Sequence, residues 1–332
     1  MRYALLVVAA GVLFGTTGTT QAFAPAAASP VSIGCARMAF GGLLVALLSA
    51  AWWAKDRRGR PSGVSHPRGR WATAATVAAA TAGVMAYQWT FFFGTRINGV
   101  AVGTVLALGS SPLFAGVFEW IALRRRPGLV WVGATALAVV GVGLLSLTGN
   151  AAKPPDAFGI AMSLAAGASY ALYAVATKVL LEQGWHSQDA VGVTLGAASL
   201  VAFACLPFTG PGWLAEPRGL AVTAWLAVGT VVLAYSLVGA GISGLSAATA
   251  ATLTLAEPAT ASTLGLLVLG ERLTTPGVVG VAAIVCGVLV LSLAPGSLKR
   301  RANSRAACAP PRSSQSAQSK AANNSGNLRQ LL

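Results

Sequence analysis

The sequence predicts an all-α integral membrane protein of ten transmembrane helices, arranged as two inverted five-helix repeats. Three observations predict it. The 332 residues are 55% hydrophobic and only 9% charged, with 39 glycines, which is too apolar for a soluble globular chain. Ten apolar runs of about 20 residues, each long enough to cross a bilayer, succeed one another between short polar or basic loops. Shifting the sequence by 146 residues lays Pro112 on Pro258, Arg126 on Arg272, Gly141 on Gly287 and Leu144–Leu147 on Val290–Leu293.

Each span has a local reason. The first, Tyr3 to Thr20, follows Met-Arg and has the outline of a signal peptide. The run TTGTTQAFAPAAASP, however, leads straight into another span, and Ala9–Gly11 recurs as Ala165–Gly167, so a retained helix is the better reading. The second, Val31 to Trp53, ends in Trp52 and Trp53 beside Lys55, aromatic anchors for a membrane interface. The third and fourth, Trp71 to Phe93 and Asn98 to Leu123, leave Arg96 in their short connection, and the fifth, Leu129 to Leu147, starts after Arg124–Arg126. Phe158 to Leu180, Asp189 to Pro207, Leu220 to Ile242, Leu245 to Leu269 and Gly277 to Leu293 complete the set. The repeats occupy residues 1–148 and 158–294, joined by an outer linker at 149–157. From Pro295 the composition turns to Ser, Asn, Gln, Ala and Arg, which predicts a disordered basic cytoplasmic tail over 295–332 that brushes anionic lipid.

A net charge of +15 would suggest nucleic acid in a soluble chain. Here the basic residues cluster between apolar spans and act as topology signals, so no nucleic-acid partner is expected. Of the 23 Lys and Arg, 18 fall in the N-terminus, the tail and the connections on that same side, and four, Arg96, Lys153, Arg218 and Arg272, on the other. The positive-inside rule then puts both termini in the cytoplasm of a cell-membrane protein. Cys35, Cys205, Cys286 and Cys308 are scattered, with no metal or disulfide spacing. His66 and His186 both fall in loops, no HExxH occurs, and no pair of intramembrane aspartates exists, which argues against a membrane-embedded hydrolase. No GKS or GKT follows the glycine-rich runs, so no bound nucleotide or other cofactor is expected.

Five passes are an odd number, so the second copy must enter the membrane from the opposite side. Inverted repeats of this kind place a solute site at their interface near mid-bilayer. The stretch Leu245–Leu273 fits that place, because it carries Glu257 and Pro258 near its midpoint. A carboxylate in hydrocarbon faces a protein interior or a wet cavity. Proline frees the carbonyl four residues back, here that of Thr254. Pro112 is its counterpart, and both are expected to break their helices.

Arg37 early in the second span, LGSSPLFAGVF in the fourth and TLAEPATASTLGLLVLGERL in the ninth make the chain resemble the drug/metabolite transporter superfamily, EamA type. The likeness covers residues 1 to about 295. The first-half counterpart of the trailing Gly-Glu-Arg, ALRRRP, departs from the pattern. The resemblance implies a secondary transporter, an exporter of small organic metabolites such as amino acids, amines or drugs. Relatives in the same superfamily make a lipid or polyprenyl-sugar flippase the alternative.

Residues three, four and seven apart share a helix face. That spacing aligns Ser163, Tyr170, Tyr173 and Thr177; Thr104, Ser111, Ala115 and Glu119; and Thr254, Glu257 and Thr260. We expect Tyr87, Trp89, Ser111, Tyr170, Tyr173, Tyr235, Thr254 and Glu257 to bind the solute, flat aromatic walls with a few polar partners. Set against this, Ser and Thr also bond to their own helix, and Tyr and Trp also mark interfaces. Glu257 could pair with a substrate amine, carry a coupling proton, or simply shape the proline break. Glu119, near Arg124–Arg126, is expected to snorkel to the interface. Arg37 is expected to pair structurally near the outer boundary, with an anionic group of the cargo as the other option. Gly11 with Gly15, and Gly192 with Gly196, are packing faces. Besides a small-molecule substrate and membrane lipid, the sequence leaves a homodimer open.

Overall fold

Hydrocarbon offers no water to backbone amides, so a chain this apolar must satisfy them inside helices. The structure, a computed structural model, describes residues 1–56, 69–146, 156–268 and 275–293, and every regular element among them is helical. Large apolar side chains stand on its outside, with Leu47 58%, Leu200 70% and Leu267 73% exposed. Lipid suits such a surface and water does not. The chain is an all-α, multi-pass membrane protein. Residues 149–155 of the expected linker and the whole of the basic tail lie outside the described residues.

The first helix, α1 (Arg2–Ala22), buries Ala4, Val7, Gly11, Phe14 and Gly15, one stripe at helical spacing. Pro30 opens α2 (Pro30–Asp56), where the Ser29 hydroxyl accepts the Ser32 N–H at 3.1 Å, the usual chemistry of a helix start. Trp52 at the end of α2 and Trp71 at the start of the next helix are exposed, as interface anchors are.

That next helix, α3 (Arg70–Leu123), is helical over 54 residues. Straight, it would be about 81 Å long, more than twice the hydrocarbon thickness. It is not straight. A Cβ on Gly103 would stand 2.8 Å from the Cα of Thr95, whereas residues eight apart on a straight helix are about 12 Å apart. The chain therefore doubles back between Thr95 and Gly103, and its two limbs are the expected third and fourth spans. Both limbs lie along α5 (Ala157–Glu182): Gly83 and Gly94 of the first meet Tyr173 and Ser163, while Ala107 and Ser111 of the second meet Gly167. The bend is tied to the start of α5. Asn98 Nδ2 donates to the Asp156 carbonyl at 3.0 Å and Asn98 Oδ1 accepts the Asp156 N–H at 2.7 Å, while the Asp156 carboxylate caps Phe158 and Gly159.

The far end of α5 closes with Gly184 at φ 94°, the Gly184 N–H on the Leu181 carbonyl and the Trp185 N–H on the Leu180 carbonyl. A left-handed residue at this position is the ordinary glycine stop of a helix. There α6 (Ser187–Cys205) begins, and it packs on α2 with Gly192 against Ser49 and Gly196 against Ala46. Two short 3₁₀ turns follow, over Leu206–Thr209 and Pro211–Ala215, and bury Trp213, whose Nε1 donates to Ser32 Oγ at 2.8 Å. The eighth pass is not one regular helix: α7 (Pro217–Trp225) widens into a π-helical stretch over Leu226–Leu233 before α8 (Ala234–Ile242).

The ninth pass is the interrupted one. A turn at Thr254 and Leu255 separates α9 (Ala247–Leu253) from α10 (Ala256–Val268). Pro258 thus sits in the first turn of α10, where no intrahelical N–H is needed. The Thr254 carbonyl that it frees accepts the Glu257 N–H at 2.9 Å. At Pro112 the expectation of a break fails. There α3 runs through the proline, because the hydroxyl of Ser111 takes the freed Leu108 carbonyl at 3.0 Å.

Finally α4 (Leu129–Ser146) pairs with α11 (Thr275–Leu293): Gly141 lies on Gly280 and Ile284, and Gly287 lies on Ala134 and Ala138. Similarly Gly11 of α1 lies on Thr254, Ala256 and Glu257, while Gly167 of α5 lies on Ala107, Ser110 and Ser111. With α3 counted as two passes and α7 with α8, and α9 with α10, as one each, the described residues make ten.

Candidate functional site

Where α1, α2, both limbs of α3, α5, α8 and α10 converge they leave a cavity of about 310 Å³. Its wall is mostly aromatic and apolar, with Phe14, Tyr87, Phe91, Phe92, Tyr170 and Tyr235. The rings form a connected belt. Tyr87 stacks on Phe91 at 5.4 Å and lies 6.1 Å from Tyr170; Phe14 meets Tyr235 edge-on at 5.3 Å. Such pairs stiffen one another beyond the area they bury.

The polar groups on this wall are few. Thr254, in the turn between the half-helices, accepts from the Tyr170 hydroxyl at 3.4 Å and donates to the Ala251 carbonyl at 2.8 Å. Glu257 stands in the first turn of α10, where the helix dipole favours a negative charge. Arg37 enters from α2 and is 8% exposed, with Nη2 donating to Gln88 Oε1 at 3.2 Å. No ion pair within 4 Å joins Arg37 to Glu257 among the described residues, but the two share one cavity and each lies within the field of the other.

Of the eight residues expected to bind solute, Tyr87, Tyr170, Tyr235, Thr254 and Glu257 line this cavity and Trp89, Ser111 and Tyr173 do not. Trp89 lies 42% exposed on an outer groove with Val77, Met85 and Val201, so it faces lipid. Ser111 is occupied by the carbonyl that Pro112 freed. Tyr173 is 1% exposed and packs behind the wall, its ring 6.3 Å from Tyr170 and 5.4 Å from Tyr235. It stiffens the belt without touching the space. Thr104 alone of its stripe reaches the cavity, and Thr260 is taken up against Gly15.

Two charged residues stand differently from expectation. Glu119 does not snorkel: it is 3% exposed, and its Oε2 accepts the Ala248 N–H in the first turn of α9 at 2.9 Å. A buried helix start offers a carboxylate more than the wet interface does. Lys178, one of the 18 basic residues on the side assigned to the cytoplasm, is 8% exposed and donates to the Ile242 carbonyl at 3.0 Å. Together they hold the ends of α8 and α9, while Arg125 pairs with Glu182 nearby. Gln88 was missed, although an amide inside an apolar span next to Tyr87 is itself a signal of a polar cavity. Arg37 stands out in the sequence, but only the structure places it in the cavity wall.

Comparison with known proteins agrees with this architecture. The model of the EamA-like transporter family matches residues 1–147 and again 157–293. Over 298 residues the chain is 37% identical to the uncharacterized transporter YwfM of Bacillus subtilis strain 168, covering 90% of this chain and 96% of that one. It is 31% identical to the threonine/homoserine exporter RhtA of Escherichia coli strain K12 over 199 residues, 59% of this chain and 64% of RhtA. A crystal structure with 20% identity superposes with a TM-score of 0.70 over 88% of this chain and 96% of its own, a likeness of fold.

Proposed function

The chain belongs to the EamA-like transporter family, and from that membership we propose that it exports small organic metabolites, amino acids among them, by alternating access around the Arg37–Glu257 cavity. The observation that carries the reading is that cavity itself, polar at two points and walled by tyrosines. Passes from both halves of the chain enclose it. RhtA, similar over 199 residues, is named an exporter of threonine and homoserine, and 310 Å³ is the lower end of the range for small-ligand sites.

The mechanism asks the two five-pass halves, 1–148 and 158–294, to rock as an inverted pair. Its support is a set of contacts that recur under the shift of 146. Gly141 on Gly280 and Ile284 becomes Gly287 on Ala134 and Ala138; Gly11 on Ala256 and Glu257 has a looser counterpart in Gly167 on Ser110 and Ser111, where the partners keep the shift and the glycine is displaced by ten residues more. A two-fold exchange of halves produces such pairs, and glycine at each lets backbones approach closely enough to slide. Loop charges orient the pair with the N-terminus in the cytoplasm of a cell membrane. The lipid-flippase alternative asks for a side opening. The seam between α2 and α3 is closed by the Phe92 ring on Gly34, which favours a solute over a lipid.

Glu257 is the group that would carry a coupling proton. Purified protein in proteoliposomes preloaded with labelled threonine or homoserine should release label faster than empty vesicles, and Glu257→Gln should remove any dependence of that rate on an imposed pH gradient. Release no faster than from empty vesicles, for any common amino acid tried, would overturn the reading. A full pH response in the Gln variant would free Glu257 from the coupling role alone.

A further inference from the structure

Among the described residues Arg37 is the one cation in the cavity wall. It is 8% exposed, Gln88 beside it is 4% exposed, and one hydrogen bond of 3.2 Å joins them, from Arg37 Nη2 to Gln88 Oε1. Among the described residues neither Arg37 Nε nor Gln88 Nε2 has an acceptor. Arginine can only donate, so its bond to Gln88 fixes the amide with oxygen toward the guanidinium and nitrogen away. What remains is a pair of N–H-bearing groups from two helices, with a positive charge behind them. A buried cation of this kind is normally matched by a carboxylate in direct contact, and the acid of the cavity, Glu257, feels its charge without forming an ion pair with it among the described residues.

We propose that Arg37 and Gln88 form a carboxylate-binding subsite, so that the cargo is an amino-acid zwitterion, its carboxylate on these donors and its ammonium toward Glu257. The word cargo rests on the transport reading above; the subsite itself does not. Charge-assisted hydrogen bonds to the two oxygens of a carboxylate suit this donor set. A simple amine or an ester brings no anion to it and leaves these donors without a charged acceptor. Selection is therefore for free acids against their esters and decarboxylated amines, with the tyrosine belt contacting the side chain.

The test is ligand-dependent thermal unfolding of the full chain in lipid nanodiscs, with the common amino acids, their methyl esters, their decarboxylated amines and sodium chloride at matched ionic strength as probes. At least one free acid should raise the Tm, with an apparent affinity about tenfold or more above that of its ester and amine. Gln88→Met, of similar length but without the donor, should bring acid and ester to within about threefold of each other. Should that variant elute as aggregate, Gln88→Glu supplies the second test: it places an anion on Arg37, so it should fold and lose acid binding. The subsite is overturned if no acid shifts the Tm, if ester and acid shift it alike, if chloride does as well as the acids, or if both variants keep the wild-type preference. Efflux from proteoliposomes with the same compounds separates the two readings. Acid-selective binding without flux keeps the subsite and removes transport; flux of esters and amines equal to that of acids keeps transport and removes the subsite.

Discussion

Replacing Glu119 tests how the start of α9 is held. The side chain is 3% exposed and its Oε2 takes the Ala248 N–H at 2.9 Å. That amide belongs to the first turn of α9, which has no intrahelical partner for it. In Glu119→Ala the amide is left buried and unpaired, a loss of about 1.5–3 kcal/mol for a charge-assisted bond, and the void adds about 1 kcal/mol. In Glu119→Gln the amide oxygen still accepts, so what is lost is the interaction of a full charge with the helix end, about 1 kcal/mol. The alanine variant should therefore be about three times as damaging as the glutamine one. Reversible unfolding in mixed detergent–SDS micelles, followed by helicity, measures both. An alanine variant within about 0.5 kcal/mol of wild type would refute the reasoning, as would a glutamine variant as unstable as the alanine one.

Helix approach gives a sharper contrast. A Cβ at Gly15 would stand 2.6 Å from the Thr260 Cβ and 2.7 Å from the Glu257 carbonyl oxygen, while at Gly18 nothing lies within 4 Å. Gly15→Val should abolish monodisperse protein on gel filtration and Gly18→Ala should match wild type; similar yields for both would contradict the packing. The buried hydroxyls of Thr135 and Thr252 meet at 2.8 Å. A double-mutant cycle with valine at each should give a coupling of about 0.5–1.5 kcal/mol, near the range of interhelical bonds in membrane proteins, and zero coupling would show that the pair contributes nothing.

The helices were legible because their cause is local. Runs of apolar residues between basic loops say where the chain must cross, whatever it crosses beside, and even the doubled-back α3 shows the two expected spans as its limbs. Glu257 was legible for a related reason, since an acid next to a proline at mid-span is costly unless a cavity receives it. The two prolines show where this stops. Pro258 follows a real interruption, while Pro112 passes through an intact helix. The difference is one hydroxyl: Ser111 satisfies the carbonyl freed by Pro112, and the residue before Pro258 is a glutamate that does so only through its backbone N–H.

Faces were the other limit. Tyr87 and Trp89 lie two apart on one limb, and one lines the cavity while the other meets lipid. In a soluble protein the polar side of a helix would have told them apart. Here the surrounding solvent is as apolar as the core, so the rotation of each helix leaves little trace in its hydrophobic pattern. By itself the sequence determined the class of protein, the spans, the internal repetition and one buried acid, because these follow from transfer out of water and from chain chemistry. Only the tertiary structure decided that Arg37 and Gln88 join that acid around one space, and that Glu119 is a helix cap, because both depend on which helix faces meet.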